Sequence, residues 1–376
     1  MNGKSILTLP YRFFHKNPIL CLAFLLAVAS AFFVPPDGAY AGYFDFNTLT
    51  CLFCTLAVVC ALQDAHFFTI LAERLVRLTG TLRMAVLSLI VITFLGSMVL
   101  ANDMALLTFL PLGLTVLRST DNMKYLAPVF ILQNISANLG GMLTPFGNPQ
   151  NLYLYSHFEI PAGEFVQIMF PPFLMAVILL TVCAFCFPAR RLILKVQTPG
   201  KLMTRKNIFF LILFAFSVAI VFRFFPYWVG LISVPVCLFF TDRKALGEVD
   251  YGLLMTFVCF FVFAGNLSRI DAVREFLSSL LAKNPLLVSI ASCQVISNVP
   301  SAVLLSNFTT DYAPLLVGVN LGGAGTLIAS LASLITFRKY RKYAPGNTVR
   351  YTLLFSAFNF GFLLLLTAAE YFILYG

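Results

Sequence analysis

"NLGGMLTPFGNPQN", residues 138–151, interrupts an apolar stretch that would otherwise be long enough to cross a bilayer. Its glycines, prolines and asparagines do not belong in a lipid-facing helix. Non-helical backbone at membrane depth leaves N–H and C=O groups unpaired, at several kcal/mol each, unless it faces protein or a watery cavity. The stretch must therefore line something. Gly140 and Gly141 permit close approach of the backbone to a ligand. Pro145 and Pro149 end helical hydrogen bonding. Thr144, Asn148 and Asn151 supply neutral donors and acceptors. A shorter echo, "NLGGAGTLIAS", begins at Asn320: Asn320, Leu321, Gly322, Gly323 and Thr326 match Asn138, Leu139, Gly140, Gly141 and Thr144 at a constant offset.

Working outward, the 376 residues are 60% hydrophobic and 11% charged, with a mean hydropathy of +0.91. A soluble domain carries about a quarter charged residues. Apolar runs of crossing length recur at 18–34, 46–63, 125–157 (interrupted), 165–187, 207–223, 226–240, 251–266, 311–337 (interrupted) and 351–374. The fold class is an all-α polytopic membrane protein, and a soluble enzyme is excluded. The first run is read as a retained span rather than a cleaved signal peptide. Glu370, near the end of the last run, is read as interfacial. Two further apolar segments, about 84–112 and 285–308, carry polar residues at their centres and are read as re-entrant hairpins.

The net charge of +10 does not point to nucleic acid, because the basic residues cluster between apolar runs. With the N-terminus inside, all but four of the 25 Lys and Arg fall on the cytoplasmic side; Arg223, Arg269, Arg274 and Lys283 are the four. That bias fixes orientation under the positive-inside rule and puts the C-terminus outside. The nine Cys lie nearly all in apolar runs, and Cys51 and Cys54 read as packing residues rather than a metal or redox pair. His15, His66 and His157 form no ligand pattern. No phosphate-binding loop, HExxH or GxSxG motif is present, so no enzyme activity and no cofactor is expected.

The halves repeat. After an N-terminal span and loop (1–43), a unit at 44–206 opens with "FDFNTL", and a second at 207–376 reaches "VDYGLL" at 249–254. Each continues with a span, an amphipathic helix ("AHFFTILAERLVRL"; "SRIDAVREFLSSLL"), a hairpin and an interrupted span. The charge pattern starts the first unit outside and the second inside, so they are expected to be inverted, as in secondary transporters.

Interrupted helices end in partial charges, positive at N-termini and negative at C-termini. Anions favour the former, small cations the bare carbonyls of the latter. The first hairpin tip holds Asn102 and Asp103; the second holds Ser297, Asn298, Val299 and Pro300. An intramembrane carboxylate costs about 2.5–3.5 kcal/mol on insertion scales. Asp103 reads either as a cation or proton site or as the cap of the returning half-helix. One half of a binding site is expected from Asn102, Asp103, Asn138, Gly140, Gly141, Thr144, Asn148 and Asn151. The other is expected from Ser297, Asn298, Asn320, Gly322, Gly323 and Thr326. Sodium is expected near Asn102, Asp103 and Gly140 and near Asn298 and Gly322.

At "ANDMALLTFLPL", "NLGGMLTPFGNPQNLYLY", "ISNVPSAVLLSN" and "VNLGGAGTLIASLASLI" the chain resembles the ion transporter superfamily. That group holds arsenite permeases, NhaD-type sodium/proton antiporters and citrate or dicarboxylate transporters, and the likeness is nearest to short citrate-transporter-like permeases. It implies a scaffold and a transport domain, a homodimer, elevator-type alternating access, and substrate and coupling ion at the tips and broken helices. Dicarboxylate carriers read Ser-Asn-Thr at both tips. The matching positions here are Ala101, Asn102, Asp103 and Ser297, Asn298, Val299; both Thr are replaced, and the first tip reads like an arsenite permease. The resulting expectation is a secondary transporter of a small anion, an oxyanion or carboxylate, coupled to Na⁺ or H⁺ in a bacterial inner membrane. The alternative is a Na⁺/H⁺ antiporter.

Overall fold

The computed structural model describes residues 18–192 and 200–376. Lys4, Arg12, His15, Lys16 and Lys195, and with them the placement of the N-terminus, lie outside the described residues. Among the described residues the architecture is helical, with one isolated β-bridge between Thr81 and Arg191. In chain order the helices are α1 Pro18–Phe33, α2 Phe46–Asp64, α3 Phe67–Arg77, α4 Leu82–Leu100, α5 Asn102–Ser119, α6 Leu126–Gly140, α7 Pro149–His157, α8 Ala162–Phe185 and α9 Arg205–Val221. They continue as α10 Tyr227–Thr241, α11 Arg243–Glu248, α12 Tyr251–Ser268, α13 Asp271–Lys283, α14 Pro285–Ile296, α15 Asn298–Leu305, α16 Tyr312–Leu321, α17 Leu331–Tyr343 and α18 Thr348–Tyr375. Among them, six segments are long and apolar enough to cross a membrane, which makes this a polytopic membrane protein.

The helices pack as two groups. In one, α2 packs against α9, α10 and α11, while α12 packs along α1. In the other, α4, α5 and α6 pack together, α14, α15 and α16 pack together, and α17 lies against α5 and α6. The groups meet where α12 touches α15 and α2 touches α7. Helices α2 and α12 run in opposite directions. Cys60, near the end of α2, contacts the Glu248 carbonyl just before α12, whereas Tyr43, just before α2, packs on Gly265 near the end of α12.

Polar contacts sort by side. Lys206 pairs with Asp242 at 2.8 Å and Lys244 with Asp64 at 3.2 Å, all at chain ends assigned inside. Arg269 grips Asp37 through both guanidinium nitrogens, at 2.6 and 3.0 Å, and both belong to loops assigned outside. The guanidinium's hydrogen bonds hold the Asp37 carboxyl below its usual range. Arg223, also assigned outside, donates to the Tyr155 carbonyl at 2.8 Å and stacks on its ring.

Both hairpins form, with unequal arms. The one expected over 84–112 runs from Leu82 to Ser119, with arms of 19 and 18 residues. Each arm is about 28 Å long, the reach of a full crossing. The second has arms of 12 and 8 residues, far too short to cross twice. A chain that travels down one arm and back up the other returns to the side it left, so the assignment of sides does not depend on arm length.

The hinge of each hairpin is one residue in the same unusual backbone state. Ala101 has φ 63° and ψ 153°; Ser297 has φ 76° and ψ 161°. This region is essentially reserved for glycine, and a residue with a Cβ stores about 1–3 kcal/mol there. Ala101→Gly is therefore expected to stabilise the fold by about 1 kcal/mol, after allowing for the freedom glycine adds to the unfolded chain. A higher Tm in detergent, at unchanged helicity, is the readout. Ser297→Gly should gain less, because the Ser297 hydroxyl donates to the Ala329 carbonyl at 3.2 Å.

Glu370, read as interfacial, is turned into the protein and is 1% exposed. Helix α18 turns Tyr351, Phe355, Asn359, Phe362, Leu366 and Glu370 inward on one stripe. The helical period carries the acid into the protein although it lies near the chain's end.

Candidate functional site

The breaks in the two interrupted spans are built alike. After α6 the chain makes a short 3-10 turn, Gly141–Leu143, and restarts at Pro149 with Asn148 as N-cap. After α16 it turns through Gly325, at φ +137°, and restarts at Leu331 with Ser330 as N-cap. Each break is tied to the last turn of its own hairpin's first arm. The Thr144 hydroxyl donates to the Met98 carbonyl at 2.8 Å, and the Thr326 hydroxyl to the Gln294 carbonyl at 3.2 Å. Gly140 lies so close to Phe94 and Ser97 that a Cβ would sit 2.2 Å from the Phe94 carbonyl oxygen. Gly322 lies likewise on Cys293, where a Cβ would meet side-chain atoms at 2.8 Å.

The tips share a further device. The Asn102 side-chain carbonyl accepts from the Asp103 N–H at 3.0 Å, and that of Asn298 from the Val299 N–H at 3.0 Å. Each Asn thus satisfies the first turn of the helix it begins. The N-cap of α5 is Ala101, with no side-chain cap, so the cap expected of Asp103 is not formed. One carboxylate oxygen of Asp103 is buried without a hydrogen-bond partner.

The two halves interlock through amides. Asn138 accepts from Asn102 at 3.1 Å and from the Ser330 hydroxyl at 2.8 Å. Asn320 donates to Asn151 at 2.6 Å and accepts from Asn148 and Gln150 at 3.4 Å each. Asn134, one turn before Asn138, donates to Ser333 at 3.3 Å. The first half of each broken span therefore contacts the second half of the other.

Beside this knot lies a cavity of about 100 Å³ at the seam between the helix groups. Asn102 and Asp103 line it from the first tip; Ser297, Asn298, Val299 and Pro300 from the second; Pro149 and Ser330 from the restarted helices. These are the opening residues of α5, α15, α7 and α17. Four helix N-termini converge on one space, each carrying roughly half a positive charge from its unpaired N–H groups. Such ends favour anions. The wall toward α12 holds Asp250, which caps that helix by accepting from the Leu253 N–H at 2.8 Å. Arg338, exposed on α17, is the one cation of the lining among the described residues.

Of the residues expected at the site, Asn102, Asp103, Ser297 and Asn298 line the cavity directly. Asn138, Asn148, Asn151 and Asn320 stand behind it as the knot. Gly140 and Gly322 serve close helix packing, while Thr144 and Thr326 hold the hairpins; none of these four lines the space. The Gly322 carbonyl, expected beside sodium, accepts from the Gln294 amide at 2.9 Å. Gly141 and Gly323 leave room for Asn148 and Asn298 respectively. Asp250, Ser330 and Arg338 were not expected. Arg338 counts in sequence as one more loop cation, yet Leu331, Leu334 and Arg338 recur at helical spacing and line the cavity together.

A polytopic helical protein whose polar cavity lies among helix N-termini, between two packed groups, has the build of a membrane carrier. The chain belongs to the citrate transporter family, whose profile matches residues 14–336. It is similar to an uncharacterized transporter of Methanocaldococcus jannaschii, at 32% identity over 78% of this chain and 81% of that one. It is also similar to the inner membrane protein YbiR of Escherichia coli, at 30% identity over 84% of this chain and 86% of the relative.

Proposed function

We propose that the protein is a secondary active transporter of a small anion, an oxyanion or carboxylate, coupled to Na⁺ or H⁺. The convergence of four helix N-termini on the cavity carries this reading. Among the described residues the lining holds two carboxylates, Asp103 and Asp250, and one guanidinium, Arg338. An anion entering alone would meet excess negative charge, and a cation or proton taken up at Asp103 removes it. Coupling thus follows from the charge of the lining. The unpartnered Asp103 oxygen also favours the alternative, Na⁺/H⁺ antiport without an anion.

The two units, 44–206 and 207–376, act as inverted halves. The opposed run of α2 and α12 and the matched hinges at Ala101 and Ser297 support this. The group around α2 and α12 serves as scaffold, and the group holding the tips slides past it in elevator fashion. The cavity at their seam supports that division. The membrane is the bacterial inner membrane, as the name of the Escherichia coli relative suggests, and the scaffold pairs with a second copy.

A thermal-stability screen of the purified protein over citrate, succinate, phosphate and arsenite, with and without Na⁺, tests the reading. Stabilisation by an anion, enhanced by Na⁺ or by acid, is expected, since ligand bound to the folded state raises Tm. A response to Na⁺ or pH alone, with no anion effective, would leave antiport. Arg338→Ala is expected to raise KM for the anion about tenfold or more with little loss of kcat, as one charge-assisted contact is worth ~1.5–3 kcal/mol. Uptake into proteoliposomes measures both.

A further inference from the structure

A second cavity, of about 180 Å³, lies at the same seam but among chain ends assigned to the opposite face. Its walls include Asp45, Tyr153, His157, Ser268 and Asn307. Tyr153 is buried and its hydroxyl lies 2.8 Å from that of Ser306. His157 and Asn307 are exposed at the rim.

The two cavities are made from matching parts. In the first, Asp250 is the N-cap of α12; in the second, Asp45 is the N-cap of α2, accepting from the Thr48 N–H at 2.9 Å. In the first, the basic residue is Arg338, about two turns beyond the N-cap of α17; in the second it is His157, about two turns beyond the N-cap of α7. Helices α7 and α17 are the restarted halves of the two broken spans. The parts differ in one chemical respect. A guanidinium is always charged, whereas an imidazole gains its charge near pH 6.5.

We propose that the second cavity is an access site for the transported anion on the face opposite the first, and that His157 supplies its cation only when protonated. The proposal rests on the anion-transport reading above. The other titratable groups facing the space are Asp45 from α2 and the phenols of Tyr43 and Tyr153. Asp45 is engaged through both carboxylate oxygens by Thr48. Arg269, next to Ser268, is committed to Asp37 and Tyr43. His157 is therefore the group facing the space whose charge appears as the medium is acidified. The inner cavity keeps its cation at every pH while the outer one loses it, so affinity from outside falls as the medium becomes alkaline.

Right-side-out membrane vesicles containing wild type, His157→Arg or His157→Gln test this, with citrate, succinate and phosphate as labelled probes. The probes titrate in the same range, so the readout is the ratio of variant to wild-type KM at each external pH. For His157→Arg the ratio should lie about tenfold below one at pH 7.5 and climb toward one as the medium is acidified and the imidazole gains its charge. For His157→Gln it should be near one at pH 7.5 and rise above one as the medium is acidified. Ratios that do not change with pH in either variant overturn the proposal while leaving anion transport standing. Should the wild type take up none of the probes, the anion reading and this one fall together. KM is read only from molecules that transport, so lower expression of a variant does not imitate either result.

Discussion

Asp103→Asn is expected to insert and fold at least as well as the wild type, yet to lose coupled transport. The exchange keeps shape and removes one charge. An acid within the membrane costs about 2.5–3.5 kcal/mol on insertion scales, so the amide should be the easier residue to place. Among the described residues the Asp103 side chain makes no cap of α5, the Asp103 N–H is satisfied by Asn102, and one of its carboxylate oxygens has no partner. What disappears is the group that can take up a cation or a proton beside the anion. Uptake driven by a Na⁺ or pH gradient should fall about 10- to 100-fold, the worth of one charge-assisted contact. Dependence on the coupling ion should flatten while the protein remains monodisperse with an unchanged or higher Tm. Wild-type uptake with wild-type ion dependence in the Asn variant would remove Asp103 from the mechanism. The companion change Asp250→Asn has a smaller expected effect. It also reduces the negative charge of the lining, but Asp250 caps α12 through its carboxylate, an acceptor role that an amide oxygen can retain.

Much of this arrangement was legible in the sequence. The interruptions at Gly140–Pro149 and Gly322–Ser330 were visible because glycine and proline are physically misplaced in a lipid-facing helix. The tips were visible because Asn102, Asp103, Ser297 and Asn298 are polar residues within apolar runs. Spacing could not give depth. The first hairpin was read as re-entrant over about 84–112 from the loop charges, but charge reports only the side to which a chain returns, and α4 and α5 run on to 19 and 18 residues. Nor could residue type separate lining from support. Thr144 and Asn102 look equally suited to ligand contact, yet Thr144 spends its hydroxyl on the Met98 carbonyl. Arg338 was hidden for the opposite reason. It sits among Lys339, Arg341 and Lys342, and a cluster of basic residues carries an orientation signal that masks any one member's own contact.

The knot of amides fastens the two broken spans to each other. Asn320 bridges to Asn148, Gln150 and Asn151, and Asn138 bridges to Ser330. Each unit is fastened to the other at its break, so the tips and broken spans are joined as one piece. The seam with α1, α2 and α12, by contrast, contains both cavities. Resistance to sliding is lower where packing is already incomplete. On the elevator motion proposed above, the division into a moving piece and a fixed one would fall between the helix groups, not between the two sequence units, and each unit would contribute to both pieces.

Gly140→Ala should expose that construction by damaging the fold rather than the ligand site. The added Cβ would stand 2.2 Å from the Phe94 carbonyl oxygen and 2.5 Å from the Ser97 hydroxyl. The backbone atom cannot rotate away, so α6 must move off α4. Overpacking of this kind costs about 1–3 kcal/mol, and here it acts on a helix that holds Asn138, and through it Asn102 and Ser330, in register. Tm in detergent should drop markedly, and uptake per folded molecule should drop with it. Gly323→Ala makes the contrast. Its Cβ would meet the end of the Asn298 side chain at 3.1 Å, which can shift by a few tenths of an ångström, and the Asn320 carbonyl oxygen at 3.3 Å, a far milder approach than at Gly140. Stability should change little, but the amide that begins α15 at the cavity would be displaced, so KM should rise several-fold at near-normal Tm. If instead Gly140→Ala folds and melts like the wild type while Gly323→Ala does not, the close packing of each broken helix on its hairpin is wrongly placed, and the two glycine pairs serve some purpose other than letting backbone meet backbone.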